Sequence, residues 1–113
     1  MIVYTLSTCD TCRKALKWLE ENNVSHENRD IRKDRLSSPD IEHIVRSVGW
    51  ENALNRRSTT WRGLSDAQKK GLDASKAVDL IAANPTLMKR PAFVTEQEVM
   101  VGWNDAVKAW LTA

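Results

Sequence analysis

The chain is predicted to fold as an α/β protein built on one mixed four-stranded sheet. Three observations predict it. A β-rich run at residues 2–6 is followed at once by an amphipathic helical pattern. Two short apolar runs, residues 91–95 and Val99–Val101, are spaced as a hairpin. Helical patterns fill the stretch between these two regions and close the chain.

The elements follow in order. After the first strand, residues 7–10 interrupt it with polar side chains and Cys9. Cys12, Ala15, Leu16 and Leu19 then recur at the spacing of one buried helix face, and Asn22 and Asn23 end that helix. Residues 24–31 read as a weaker strand, mostly polar and therefore at an edge or half exposed. Ser37-Ser38-Pro39 is a helix start, with a serine cap and proline at the first helical position. Ile41, Ile44, Val45 and Val48 form its stripe, and Gly49 ends it. Residues 53–62 read as a turn and a basic loop. Ser65 and Gln68 have capping-box spacing for a short helix that closes near Gly71. Asp73 caps the next helix, whose inner face is Ala77, Leu80 and Ile81 and which Pro85 stops. After the hairpin, Asn104 caps a last helix carrying Val107, Trp110 and Leu111. A β-α-β start followed by β-β-α is the thioredoxin arrangement. The block at about 38–85 is then a helical insertion in a single domain covering residues 1–113, since no repeat, low-complexity tract or linker divides the chain.

Composition bounds the function. Of the 113 residues, 42% are hydrophobic and 28% charged, which is the profile of a globular rather than a disordered chain. A formal net charge of +2 is too small for a general nucleic-acid binder. No apolar run has bilayer-crossing length, and the N-terminus lacks the basic start of a signal peptide, so no membrane is expected and the expected location is the cytoplasm. Thiols there are kept reduced, so a close cysteine pair points to catalysis, redox sensing or metal rather than a structural staple.

Cys9-x-x-Cys12 is that pair. Thiolate, not thiol, attacks electrophiles, so a reactive cysteine needs a lowered pKa. Cys9 falls where a strand gives way to a helix, so free N–H groups and the positive end of the helix dipole favour an anion there. Arg13 and Lys14 add positive charge within the first turn. Cys12, three residues on, is either the resolving thiol for an adduct on Cys9 or a small buried residue of the apolar stripe. A zinc site is disfavoured: the remaining ligand candidates are His26, His43 and scattered carboxylates, with no second paired motif.

Ser7-Thr8-Cys9-Asp10-Thr11-Cys12-Arg13-Lys14-Ala15, after a leading strand, resembles the arsenate reductase (ArsC)/Spx family. Gly49-Trp50, Leu54-Asn55-Arg56-Arg57, Thr59-Thr60-Trp61-Arg62, Lys89-Arg90-Pro91 and Val101-Gly102-Trp103 extend the likeness in the order of its YffB-like subgroup, over essentially the whole chain. The resemblance implies a thioredoxin-like fold with a helical insertion, and Cys9 as the redox nucleophile. It also implies a cis proline at Pro91, structural at the site, that sets Arg90 near Cys9.

Oxyanion chemistry calls for arginine, whose planar fork stays charged. Arg90 is the first anion-binding candidate, with Arg57 next and Arg13 beside the motif. Arg56 and Arg62 are read as solvated, and Trp50, Trp61 and Trp103 as packing rather than a binding wall. The sequence departs from true arsenate reductases where they carry an arginine before a proline after the last strand. Here that place holds Gly102-Trp103, and the loop arginine aligns nearer Asn55 than Arg57. The YffB-like subgroup instead implies a glutathione-dependent thiol reductase. It needs no bound cofactor and takes glutathione as reductant or co-substrate, with glutaredoxin as a candidate partner. Two alternatives remain: an Spx-like redox-sensing regulator that binds RNA polymerase, favoured by Cys12, and an arsenate reductase with a rearranged arginine set.

Overall fold

The structure, a computed structural model, describes residues 1–34 and 36–113. Its elements are β1 (Ile2–Thr5), α1 (Asp10–Glu21), β2 (Glu27–Asp30), α2 (Ser38–Val48), α3 (Trp50–Ala53), α4 (Thr59–Arg62) and α5 (Asp66–Lys69). They continue with α6 (Ala74–Ala83), a 3₁₀ turn at Pro85–Leu87, β3 (Ala92–Val94), β4 (Val99–Val101) and α7 (Asp105–Leu111). The strands form one mixed sheet in the order β2-β1-β3-β4. β1 pairs parallel to β2 with Thr5 opposite Asp30, and antiparallel to β3 with Val3 opposite Phe93. A parallel pair needs a crossover, which α1 supplies. This is the thioredoxin-like α/β sheet that the residue patterns predict.

Contacts group the chain into two compact units: the described residues of 1–35 with Arg90–Ala113, and Leu36–Lys89. In the first, Val3, Ala15, Leu19, Phe93 and Val107 form the core, each at most 1% exposed. Burying a Val, Leu or Phe side chain contributes roughly 1.5–3 kcal/mol, so Val3, Leu19, Phe93 and Val107 supply most of the stabilisation of this cluster. Trp103 packs on Phe93 at 6.0 Å between centroids and meets Trp18 edge-on at 5.4 Å, so it is packing, as its setting in the sequence suggests. In the second unit α2 packs against α6. Their buried faces are Ile41, Ile44 and Val45 against Ala77, Leu80 and Ile81. The caps are those the sequence predicts: Ser37 Oγ accepts from Asp40 N–H at 3.2 Å, Asp73 Oδ1 from Lys76 N–H at 2.8 Å, and Ser65 with Gln68 closes a capping box.

Several expectations need correction. β1 stops at Thr5 because the Leu6 carbonyl turns to accept the Cys9 N–H at 2.9 Å. β2 begins only at Glu27, since the Val24 N–H is taken by the Leu19 carbonyl at 2.9 Å and so finishes α1. β3 excludes Pro91, which has no N–H for a ladder, and Thr95, whose N–H closes the hairpin on the Glu98 carbonyl. The stretch 53–62, read as turn and loop, takes in the last residue of one one-turn helix and the whole of another: α3 ends at Ala53, and the Ser58 hydroxyl caps α4 by accepting the Trp61 N–H at 3.1 Å. Leu16 and Val48 are half-buried at the margins of their stripes.

Candidate active site

Cys9 is the N-cap residue of α1, in extended backbone geometry (φ −91°, ψ 117°). It is half-buried, while Cys12, one turn in, is fully buried. Both thiols are free. Partial burial works against charge on the Cys9 sulfur, but the Cys12 N–H and Cys12 thiol, then the Arg90 guanidinium and the Thr11 N–H, outweigh it. The Cys9 pKa therefore lies below its ordinary value. Cys12 goes the other way. Burial leads in pushing it up to about 12, with the Cys9 thiolate adding to the rise against the opposing Leu6 N–H and Arg90 charge. The two sulfurs thus shift in opposite directions: Cys9 toward the thiolate, and Cys12, which bonds to it, toward the protonated thiol.

Arg90 precedes β3, across a cis peptide bond to the buried Pro91, and its charge acts on both sulfurs. The structure thus brings Cys9, Cys12, Arg90 and Pro91 into one unit. Arg13 is in this unit too, but its guanidinium is exposed, paired with Asp10 and donating to the Ser7 carbonyl at 3.3 Å. The cation acting on Cys9 from a distant part of the chain is Arg90. Arg57 stands in the other unit. It lines a cavity of about 370 Å³ that also presents Arg56 and Lys89. That basic face is held by an antiparallel contact: Asn55 N–H to Leu87 carbonyl at 2.7 Å and Lys89 N–H to Ala53 carbonyl at 2.8 Å. Of the histidines weighed as ligands, His26 contacts the Val24 carbonyl through Nδ1 at 2.7 Å. Among the described residues no group of three or more His, Cys, Asp or Glu side chains could hold a metal ion. No helix among them is long and apolar enough to cross a membrane.

Sequence reading passed over Asp30. It closes β2, is 9% exposed, and spends both carboxylate oxygens on backbone N–H groups. The signal was available: an aspartate at the end of a polar strand, before Ile31-Arg32-Lys33, is a typical side-chain-to-backbone turn.

Residues 4–109 match the model of the ArsC family. The solved structure of a YffB protein (PA3664) superposes with a TM-score of 0.92 at 33% identity, covering 99% of this chain and 98% of that one. An arsenate reductase (ArsC) related protein from Brucella melitensis superposes at 0.76 with 32% identity, covering 99% and 94%. The global transcriptional regulator Spx of Listeria innocua is 33% identical over 91% of this chain and 79% of its own. With a family match over nearly its full length, a shared fold, and the Cys9 motif and Arg90-Pro91 in one unit, the chain belongs to the ArsC/Spx family as a YffB-like member.

Proposed function

We propose that the protein is a glutathione-dependent thiol/disulfide oxidoreductase of the cytoplasm with Cys9 as its nucleophile. The observation that carries this reading is the environment of the Cys9 sulfur: two helix N–H donors, a protonated Cys12 and the Arg90 charge. In the first step the Cys9 thiolate attacks one sulfur of glutathione disulfide or of a glutathionylated substrate. A Cys9–S bond forms, the S–S bond breaks, and the leaving thiolate departs with the electron pair. A second thiolate then attacks the mixed disulfide and regenerates Cys9.

The raised pKa of Cys12 supports glutathione as that thiolate. A thiol at about 12 is almost wholly protonated at neutral pH, so glutathione in solution out-competes Cys12 in the resolving step. Adduct formation removes the Cys9 charge, one of the causes that raise Cys12, but leaves burial, the largest. Arg90, with Arg57 and Arg13 as the further candidates, is assigned to the carboxylates of glutathione. Mass spectrometry of the protein oxidised in the presence of glutathione tests the scheme. A glutathione adduct on Cys9 is expected, and an internal Cys9–Cys12 disulfide as the sole product would refute external resolution.

A second reading is favoured by the Spx relative together with Cys12: a redox-sensing regulator whose switch is the Cys9–Cys12 disulfide and whose partner is RNA polymerase. Retention on the C-terminal domain of the polymerase α-subunit, present only in the oxidised protein, would establish it. Arsenate reduction is a third reading, supported by the family match. Turnover of arsenate in a glutathione- and glutaredoxin-coupled assay decides it.

A further inference from the structure

Asp30 is buried, ionic and absent from the chemistry above, yet it touches the turn that presents Cys9. Its Oδ2 accepts the Ser7 N–H at 3.0 Å. Its Oδ1 accepts the N–H groups of Arg32 at 2.8 Å and Lys33 at 3.3 Å. Thr5 lies opposite Asp30 in the parallel ladder, and the Ile31 N–H continues that ladder to the Thr5 carbonyl at 2.9 Å. Beyond this point β1 leaves the sheet, so the Ser7 N–H has lost its main-chain partner. The carboxylate takes the place of the missing strand acceptor. The next peptide is held by Arg13, which donates to the Ser7 carbonyl at 3.3 Å. The Leu6 carbonyl, one residue earlier, holds the Cys9 N–H.

We infer that Asp30 is a positioning residue for Cys9: one carboxylate clamps the end of β2 to the β1–α1 turn and so fixes where the Cys9 sulfur meets the α1 amides. The inference rests on the reading of Cys9 as the nucleophile. A sulfur gains from the Thr11 and Cys12 N–H groups only while it sits over them, because hydrogen bonds weaken steeply off axis. Ser7 is separated from Cys9 by one residue, and both its N–H and its hydroxyl reach Asp30, so the anchor of the turn comes from the end of β2. Charge alone predicts the opposite of anchoring. A negative carboxylate near Cys9 opposes thiolate formation, so deleting it would favour the thiolate if geometry were untouched. The charged residues beside Asp30 along its own segment are Arg29, Arg32, Lys33 and Asp34. Asp34 Oδ2 accepts the Asp30 N–H at 3.0 Å.

The test compares wild type, Asp30→Ala and Asp30→Asn on the full chain. Read-outs are the rate of Cys9 exchange with glutathione disulfide, the pH midpoint of Cys9 alkylation, and thermal melting. Asp30→Ala is expected to exchange about tenfold more slowly, the scale of one lost hydrogen bond to a charged group, with a raised alkylation midpoint. Asp30→Asn keeps one acceptor oxygen and the same shape, so it should recover part of the rate. Equal behaviour of the two variants, or a lowered midpoint in both, would mean that Asp30 acts by charge or by stability alone and would overturn the inference. A wild-type midpoint at the free-thiol value would instead refute the nucleophile reading itself. Amide exchange of Ser7 in the wild type gives an arm that needs no variant: protection from solvent is expected, and free exchange rules the clamp out.

Discussion

Cys9 and Cys12 differ by one helical turn and by the sign of their electrostatics. The first sulfur faces donors and a guanidinium, and the second lies in the apolar interior. Cys9→Ser is therefore expected to bring disulfide exchange to background. Wild-type Cys9 should alkylate with a midpoint below that of a free thiol, as iodoacetamide rates against pH would show. Arg90→Ala removes the cation from this balance. Its outcome should be a raised Cys9 midpoint and a several-fold slower exchange at neutral pH, with melting nearly unchanged. Cys12→Ser keeps a hydrogen-bond donor beside Cys9, so glutathione-resolved turnover should survive it within a few-fold. At this scale the place of the cysteine motif was legible in the sequence, because a motif at a strand–helix junction is local. Asp30 escaped because its partner Ser7 lies 23 residues away, and only the parallel pairing of β1 with β2 brings them together.

At the scale of elements, legibility follows from how much of each element is decided locally. α2 was readable to within one residue: Ser37 caps it, Pro39 stands at its second rather than its first helical position, and Gly49 at φ +86° ends it. Ser37→Ala should accordingly cost about 1 kcal/mol in urea unfolding, the usual worth of such a cap. A loss near zero would mean that the Asp40 N–H finds water instead. β2 was the least legible. Its residues Glu27, Asn28, Arg29 and Asp30 carry no apolar alternation, and they form a strand because β1 offers them an edge. α3 and α4 are single turns of four residues each, too short for a periodic signal, and their existence depends on caps such as Ser58. Arg57 has the same difficulty as a site residue: the cavity it lines is made when residues 53–55 pair with 87–89, a contact that no local pattern announces.

For the molecule as a whole, the thiol pair couples stability to pH, and the sign can be worked out for each sulfur. Cys9 has a lowered pKa when folded. Its contribution is present above the unfolded value and fades as pH falls through the folded one. Cys12 has a raised pKa, about 12 against an ordinary 9.0. Its buried thiol keeps a proton that the unfolded chain has already lost, so its contribution is whole below pH 9 and drains away up to about 12. Between these limits each pH unit should cost about 1.4 kcal/mol from this one group, the value of a single proton held in only one state. The absolute curve sums over every ionisable group of the chain. Subtracting the curve of Cys12→Ser isolates the thiol. The difference in unfolding free energy, measured in urea from pH 8 to pH 11 under reducing conditions, should be flat to about pH 9 and then fall steadily against the wild type. A difference that stays level to pH 11 would mean that Cys12 ionises in the folded protein as readily as in water, and external glutathione would then lose its advantage in resolving the Cys9 adduct.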